Sequence, residues 1–284
     1  MYPYLLLYNI EIPVYGLCMA LGILVVSTIS AIKMRNSGGM IENVIIVSAI
    51  TVGFALIGAK LFYVMASYSI YEIFSLMKGM EFKFLFEGGF VFYGGLIFGI
   101  LGAYIGGILA KCSLTNLESV IVPYIPIGHA IGRIGCLFAG CCYGVEYSGI
   151  GAIYYKNTIY NMNESVGHFP VQVVEAVGNV AITVILVIYA RKARKLFDIT
   201  ILYLVFYSAM RFCLEFLRGD LIRGRAGAFS TSQWIAIFIF AGCIGFTSIR
   251  TIKFRPRCIE AVDQTGCKSR IHGGILRKNT TVEK

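Results

Sequence analysis

The sequence predicts an all-α polytopic membrane protein of about seven transmembrane helices, with the N-terminus outside and the C-terminus in the cytoplasm. Three observations predict it. The 284 residues are 57% hydrophobic and only 14% charged, where a soluble domain carries about 25% charged residues. Apolar stretches near the roughly 20 residues needed to cross a bilayer recur along the chain. Basic residues also gather in alternate loops, as positive-inside topology requires. That asymmetry accounts for the formal charge of +10, so no nucleic-acid partner is implied.

The spans read in order are 13–32, 43–66, 89–110, 116–139, 171–190, 198–217 and 233–250. The opening MYPYLLLYNIEI lacks a basic n-region and a small-residue cleavage site, so the first span is expected to be retained. Lys33, Arg35, Lys111, the RKARK run of 191–195, Arg250 and the basic tail fall on one side, which is assigned to the cytoplasm. Segment 68–88 is amphipathic and is expected to lie at an interface. Residues 140–170 read as a polar loop. The domain plan is one membrane unit, 1–250, and a basic tail, 251–284.

Two of these spans contain arginines, and they are the most informative residues of the chain. Arg133 lies in IPIGHAIGRIGCLFAG and Arg211 in LYLVFYSAMRFCLEFLRGD. An arginine at the centre of a bilayer helix costs about 2.5–3.5 kcal/mol on insertion scales. Two on different spans point to an anion site between helices, and the abundant anion there is a phospholipid head group. The assigned topology brings Tyr15, Lys60, Tyr93, His129, Arg133, Gln172, Glu175, Tyr207, Arg211, Glu215, Gln233 and Trp234 to the outer half of the membrane.

Each motif has a plainer reading. Gly128, Gly132 and Gly135 form one helical stripe, as in small-residue helix packing. Packing needs no guanidinium, however, and the fork of Arg133 suits bidentate phosphate contact. His129, one turn away, is either a general base or a hydrogen-bonded core histidine. Tyr207, Arg211, Glu215 and Arg218 share a helical face. An Arg211–Glu215 pair alone would not explain the tyrosine and the second arginine. Glycine pairs bracket Tyr93, which reads as a site residue or as an interfacial tyrosine. Gln172 and Glu175 open a helix after Pro170. Cys136, Cys141 and Cys142 are spaced unlike a four-ligand zinc site. Packing is the simplest role for them, with a redox role and a metal as alternatives. No metal is assigned.

Together these residues resemble the prolipoprotein diacylglyceryl transferase family over roughly residues 13–250. The matching stretches are Tyr15-Gly16, Gly58-Ala59-Lys60-Leu61-Phe62-Tyr63-Val64, Tyr93-Gly94-Gly95, Gly132-Arg133-Ile134-Gly135 through Gly144, Pro170 through Glu175, and Tyr207, Arg211, Glu215 and Arg218. Tyr93 stands where the family has a histidine. Cys136, Ala139 and Cys141 stand where it has Asn, Asn and Glu, and Lys60 where it has Arg.

The resemblance implies a multi-pass enzyme of the bacterial inner membrane, without a cofactor. It would move a diacylglyceryl group from phosphatidylglycerol to the lipobox cysteine of a prolipoprotein signal peptide, releasing glycerol phosphate. Arg133 and Arg211 then hold the phosphate. Tyr15, Tyr207, Arg218, Glu215, Gln172 and Glu175 bind substrate, and Tyr93, His129 or Glu215 takes the thiol proton. An anion or lipid transporter and a non-catalytic lipid-binding paralogue are the other readings.

Overall fold

The computed structural model describes residues 2–8, 10–69, 71–72, 91–111, 114–156, 158, 164–191, 198–219 and 225–263, with side chains to 248. It is mostly helical. A hairpin of β1 (Tyr4–Leu7) and β2 (Ile10–Pro13) precedes α1 (Val14–Asn36) and α2 (Ile41–Ser67). Then follow α3 (Phe92–Leu109), α4 (Leu114–Ile121), a 3-10 turn over Val122–Tyr124, and α5 (Ile125–Ala139). Strands β3 (Ile153–Tyr154) and β4 (Gly167–His168) pair before α6 (Val171–Ala190) and α7 (Ile199–Glu215). Strands β5 (Arg225–Ala226) and β6 (Phe229–Ser230) lead into α8 (Thr231–Asp263).

Five described segments are long and apolar enough to cross a membrane: Val14–Asn36, Ile41–Ser67, Leu117–Ala139, Val171–Ala190 and Thr231–Ser248. Helix α3 is apolar but shorter, and α7 has 17 residues with Arg211 and Glu215 in its last two turns. The expected span 116–139 is not one unbroken α-helix. Pro123 and Pro126 lack the N–H that would continue the ladder, so a 3-10 turn separates α4 from α5. Three short hairpins also interrupt the all-α expectation. The interfacial segment 68–88 lies outside the described residues except for 68–69 and 71–72, and so do most of RKARK and the tail from 264.

The chain divides into two compact units, 1–240 and 241–284. In the second, helix continues to Asp263, and Thr247 donates to the Cys243 carbonyl one turn back at 2.9 Å. In the first, glycines set the helix spacing. A Cβ on Gly22 would meet the Gly128 carbonyl oxygen at 3.0 Å, and one on Gly135 would meet Cys18 Cβ at 2.7 Å. Helices α1 and α5 therefore touch along the glycine stripe, as small-residue packing in lipid favours. Helices α2 and α3 do the same. A Cβ on Gly94 would strike the Gly58 carbonyl oxygen, and one on Gly102 would meet Phe54 Cβ at 2.7 Å.

Local chemistry fixes the helix ends. Ser37 Oγ donates to the Met34 carbonyl at 2.8 Å and Gly38 turns left-handed (φ 80°), ending α1. Gly140 does the same for α5 at φ 70°. Glu118 of α4 accepts from Thr200 N at 3.1 Å and Thr200 Oγ1 at 2.6 Å. A carboxylate thus meets the positive end of the α7 dipole. Asn179 and Thr183, buried on α6, donate to the helix's own carbonyls at 2.8 and 3.1 Å.

Candidate active site

The two arginines of these apolar helices meet through an acid. Arg133 on α5 lies 2.9 Å from Glu175 Oε1 on α6. Glu175 Oε2 faces Arg211 Nη1 of α7 at 3.6 Å. Arg211 Nη2 reaches Glu215 Oε2 at 2.9 Å, and Glu215 Oε2 lies 4.0 Å from Arg218 Nε. The result is an alternating chain Arg133–Glu175–Arg211–Glu215–Arg218. Three guanidinium groups against two carboxylates leave one positive charge.

Spacing in sequence produces this arrangement. Arg211 and Glu215 are four apart on α7, and Glu175 sits one turn into α6 after the Pro170 start. Glu175 is 1% exposed, whereas Arg133 retains 19%. Arg133 is therefore the end of the chain that a ligand can reach. Arg211 is gripped on both sides by carboxylates and also donates to Ser232 Oγ at 3.5 Å. The plain Arg211–Glu215 pair is present, but as one link of five. Buried charges of this kind are costly unless paired, and removing one partner is strongly destabilising.

Helix α8 closes the far end. Ser230 N donates to Gln233 Oε1 at 2.9 Å and Gln233 N to Ser230 Oγ at 3.2 Å, a reciprocal capping box. Ser230 Oγ also donates to Glu215 Oε1 at 2.9 Å. Sequence reading noted Gln233 but missed Ser230 and Ser232. The pattern Ser-x-x-Gln before an apolar run was the available signal.

The other expected site residues divide into groups. Gln172 is 1% exposed and engaged at both ends. Its Nε2 donates to the Cys141 carbonyl at 2.9 Å, and its Oε1 accepts from the Tyr155 hydroxyl at 3.1 Å. Burial pushes the Tyr155 phenol up to about 12, which keeps it a donor. Gln172 thus pins the loop after α5 to α6. His129 Nδ1 and the Tyr203 hydroxyl share a hydrogen bond of 3.0 Å, and the His129 ring lies 5.3 Å from that of Tyr207. His129 and Tyr207 sit one turn back from Arg133 and Arg211 on their helices, forming an aromatic floor under the charges. Tyr15 is partly exposed on α1, and its Cα lies 3.4 Å from a Cβ built on Gly135. Tyr93 and Lys60 lie on the α2–α3 pair, with Lys60 Nζ 5.1 Å from the Tyr63 ring centroid.

The described residues of the 140–170 loop are tied to the bundle by backbone hydrogen bonds. Val145 N donates to the Leu217 carbonyl at 3.0 Å, Gly219 N to that of Tyr143 at 3.1 Å, and Phe169 N to that of Val145 at 2.9 Å. Residues 143–145 thus run between the chain after α7 and the entry to α6. This pairing holds Cys141 and Cys142 over the same end of the bundle as Arg218.

The model for the prolipoprotein diacylglyceryl transferase family matches residues 3–249. The chain belongs to that family. It is 32% identical over 257 residues to phosphatidylglycerol–prolipoprotein diacylglyceryl transferase 2 of Clostridium perfringens, covering 89% of this chain and 97% of the relative. Identity to the like-named transferase of Clostridium tetani is 29% over 251 residues, covering 88% and 97%. A transferase of the same name from Dehalococcoides mccartyi is 32% identical over 209 residues, covering 72% and 76%. In this chain the five-membered charge chain and the three cysteines stand at the same end of the bundle.

Proposed function

We infer that the protein transfers a diacylglyceryl group from phosphatidylglycerol to the lipobox cysteine of prolipoproteins, releasing glycerol phosphate. The observation that supports this most is the buried alternating chain with one excess positive charge, open at Arg133. A phosphodiester carries one negative charge and neutralises it. In this reading Arg133 contacts the phosphate with its planar fork, and Arg211 supplies the second positive charge. Charge grows on the departing phosphate as the lipid C–O bond breaks, and preorganised guanidinium groups stabilise it. The acceptor attacks as thiolate. His129 is the preferred base, taking the proton at Nε2 while Tyr203 holds Nδ1. Tyr15, Tyr207 and Arg218 position the head group. Gln172, Glu175 and Glu215 hold the groups that touch it.

The same reading places seven spans in the bacterial inner membrane, α3 and α7 included, with the N-terminus outside and the basic tail, 251–284, in the cytoplasm. Fusions at the C-terminus test it. Cytoplasmic fluorescence is expected, and periplasmic phosphatase activity would reverse the topology.

The activity is tested with purified protein, phosphatidylglycerol vesicles and a reporter lipopeptide. A mass gain of one diacylglyceryl group on the cysteine is expected. No gain, with lipid still bound, would favour a non-catalytic paralogue, a reading to which the tyrosine at position 93 lends weight. Lipid or anion flux without a gain would favour a transporter.

A further inference from the structure

The cysteines are the feature that the charge chain leaves unexplained. Cys136 is the buried member on the last turn of α5, and Cys141 and Cys142 follow the left-handed Gly140 cap. Their three sulfurs all lie within 4.8 Å of one another, and none of the three is in a disulfide. Two left-handed residues make the convergence possible. Gly140 reverses the chain at φ 70°, and Cys142 has φ 61°. A non-glycine residue there costs about 1–2 kcal/mol, so the fold holds Cys142 in an unfavourable backbone conformation. Apolar packing alone gives no reason for three polarizable sulfurs to meet at that expense. Gln172 locks the arrangement by donating to the Cys141 carbonyl.

Geometry and charge suit a soft cation. An ion with sulfur ligands at about 2.3 Å sets them roughly 3.8–4.0 Å apart, a contraction of about an ångström at most from the observed limit. Three sulfurs on one ion leave one position open, the pattern of a catalytic rather than a structural site. Three thiolates more than neutralise a divalent ion, so no further anion is needed to hold it. Arg133 and Cys136 are three residues apart on α5, so the two sites share a helical face.

We propose that Cys136, Cys141 and Cys142 form a three-sulfur site for a thiophilic divalent ion such as zinc, and that the acceptor thiol occupies its open position. This rests on the transferase reading. The acceptor thiol gives its proton to His129 as it binds the ion, because a coordinating thiol is deprotonated. Its sulfur then forms a bond to the glyceryl carbon of the lipid. The bond from that carbon to the phosphate oxygen breaks, and the electron pair leaves with glycerol phosphate beside Arg133. The neutral thioether is a poorer ligand than the thiolate and departs.

The experiment reads metal content and transfer separately. Reduced, purified full-length protein is loaded with zinc, desalted and measured by elemental analysis, and loaded in parallel with cobalt(II) to read sulfur-to-metal absorption. One ion per chain is expected. Cys142→Asn, which tolerates the left-handed backbone, and Cys141→Ala should each weaken binding by more than the roughly 10- to 100-fold seen when an outer-shell partner is lost. Cys243→Ala, outside the cluster, should retain the ion. No retained ion in the wild type, equal retention in the cysteine variants, or a disulfide within the trio in its place would overturn the site. Addition of acceptor peptide should shift the cobalt absorption, and an unchanged spectrum overturns the acceptor's place on the ion. A chain that holds the ion and shifts its spectrum but transfers nothing would sink the transferase reading while keeping the site.

Discussion

Two seams of the bundle are built from the same apolar helices by opposite means. The α2–α3 seam is a backbone-to-backbone contact, in which Gly58, Gly94 and Gly102 leave no room for a methyl group. The α5–α6–α7 seam is held by Arg133, Glu175, Arg211 and Glu215, with little freedom to exchange partners. Lipid gives helices no hydrophobic reason to associate, so close packing and polar contacts must do it. The glycine seam achieves association with no charge at risk. The charged seam reaches the same end at a desolvation cost of several kcal/mol per ion. A protein that needed only cohesion would use the first device twice. The second is explained by what it leaves over, one positive charge opening at Arg133.

Removing Arg133 breaks that contrast most severely. Arg133→Ala should lower transfer by about 10²–10³, the scale of losing one electrostatic donor to the departing group. Arg133→Lys should rescue poorly, because an ammonium lacks the fork. The alanine variant also leaves Glu175 with only the longer Arg211 contact of 3.6 Å, and breaking a buried pair costs up to about 3–5 kcal/mol. Adding Glu175→Gln should therefore restore thermal stability without restoring transfer. Recovery of both in the double variant would reduce Arg133 to a structural partner.

Comparing His129→Ala with Tyr93→Phe sharpens the contrast, since His129 belongs to the charged seam and Tyr93 to the glycine seam. General bases contribute about 10²–10⁴. If His129 takes the proton, its alanine variant loses about a hundredfold at every pH measured. Transfer rates of both variants from pH 6 to 9 decide the matter. A His129→Ala enzyme with wild-type rates would remove histidine from the chemistry, and a larger loss in Tyr93→Phe would move the decisive group to the other seam.

The two seams also differ in how far sequence exposed them. Arginine is expensive in lipid, so Arg133 and Arg211 announced themselves, and the four-residue spacing on α7 gave the Glu215 contact. Their meeting at Glu175 did not follow from spacing, because it depends on how α6 lies between α5 and α7. The glycine stripe at 128, 132 and 135 was legible as packing, but its partner α1 was not. The break between α4 and α5 was visible in Pro123 and Pro126, yet hydropathy runs smoothly across it and hid it. The convergence of Cys136 with Cys141 and Cys142 needs two left-handed residues, and only glycine signals that conformation in a sequence; Cys142 does not.

Overfilling the glycine seam tests the comparison from the other side. Gly102→Val would press a side chain onto Phe54 and against the backbone at Ile50 and Thr51, and backbone cannot rotate away. Overpacking of this kind costs about 1–3 kcal/mol. A lower melting temperature is expected, with transfer per folded molecule unchanged. A large loss of transfer at full stability would mean that the α2–α3 pair contributes directly to the site.

The smallest effect is expected at Glu118, a carboxylate less buried than Glu175 of the site and placed at the opposite end of α7. It accepts from Thr200 N and Oγ1 at 3.1 and 2.6 Å. Glu118→Gln keeps an acceptor for both donors and loses only the charge facing the helix dipole, worth about 0.3–1 kcal/mol. Thr200 and Arg211 are eleven residues apart on one helix, so the change lies about 16 Å along its axis from the charge chain. Transfer should therefore be unaltered, with a small drop in melting temperature. The two ends of α7 would then be separable: one carboxylate anchors a helix, and the others surround an arginine that serves the reaction. A transfer defect in Glu118→Gln at unchanged stability would show instead that the position of α7, set from its far end, controls where Arg211 stands.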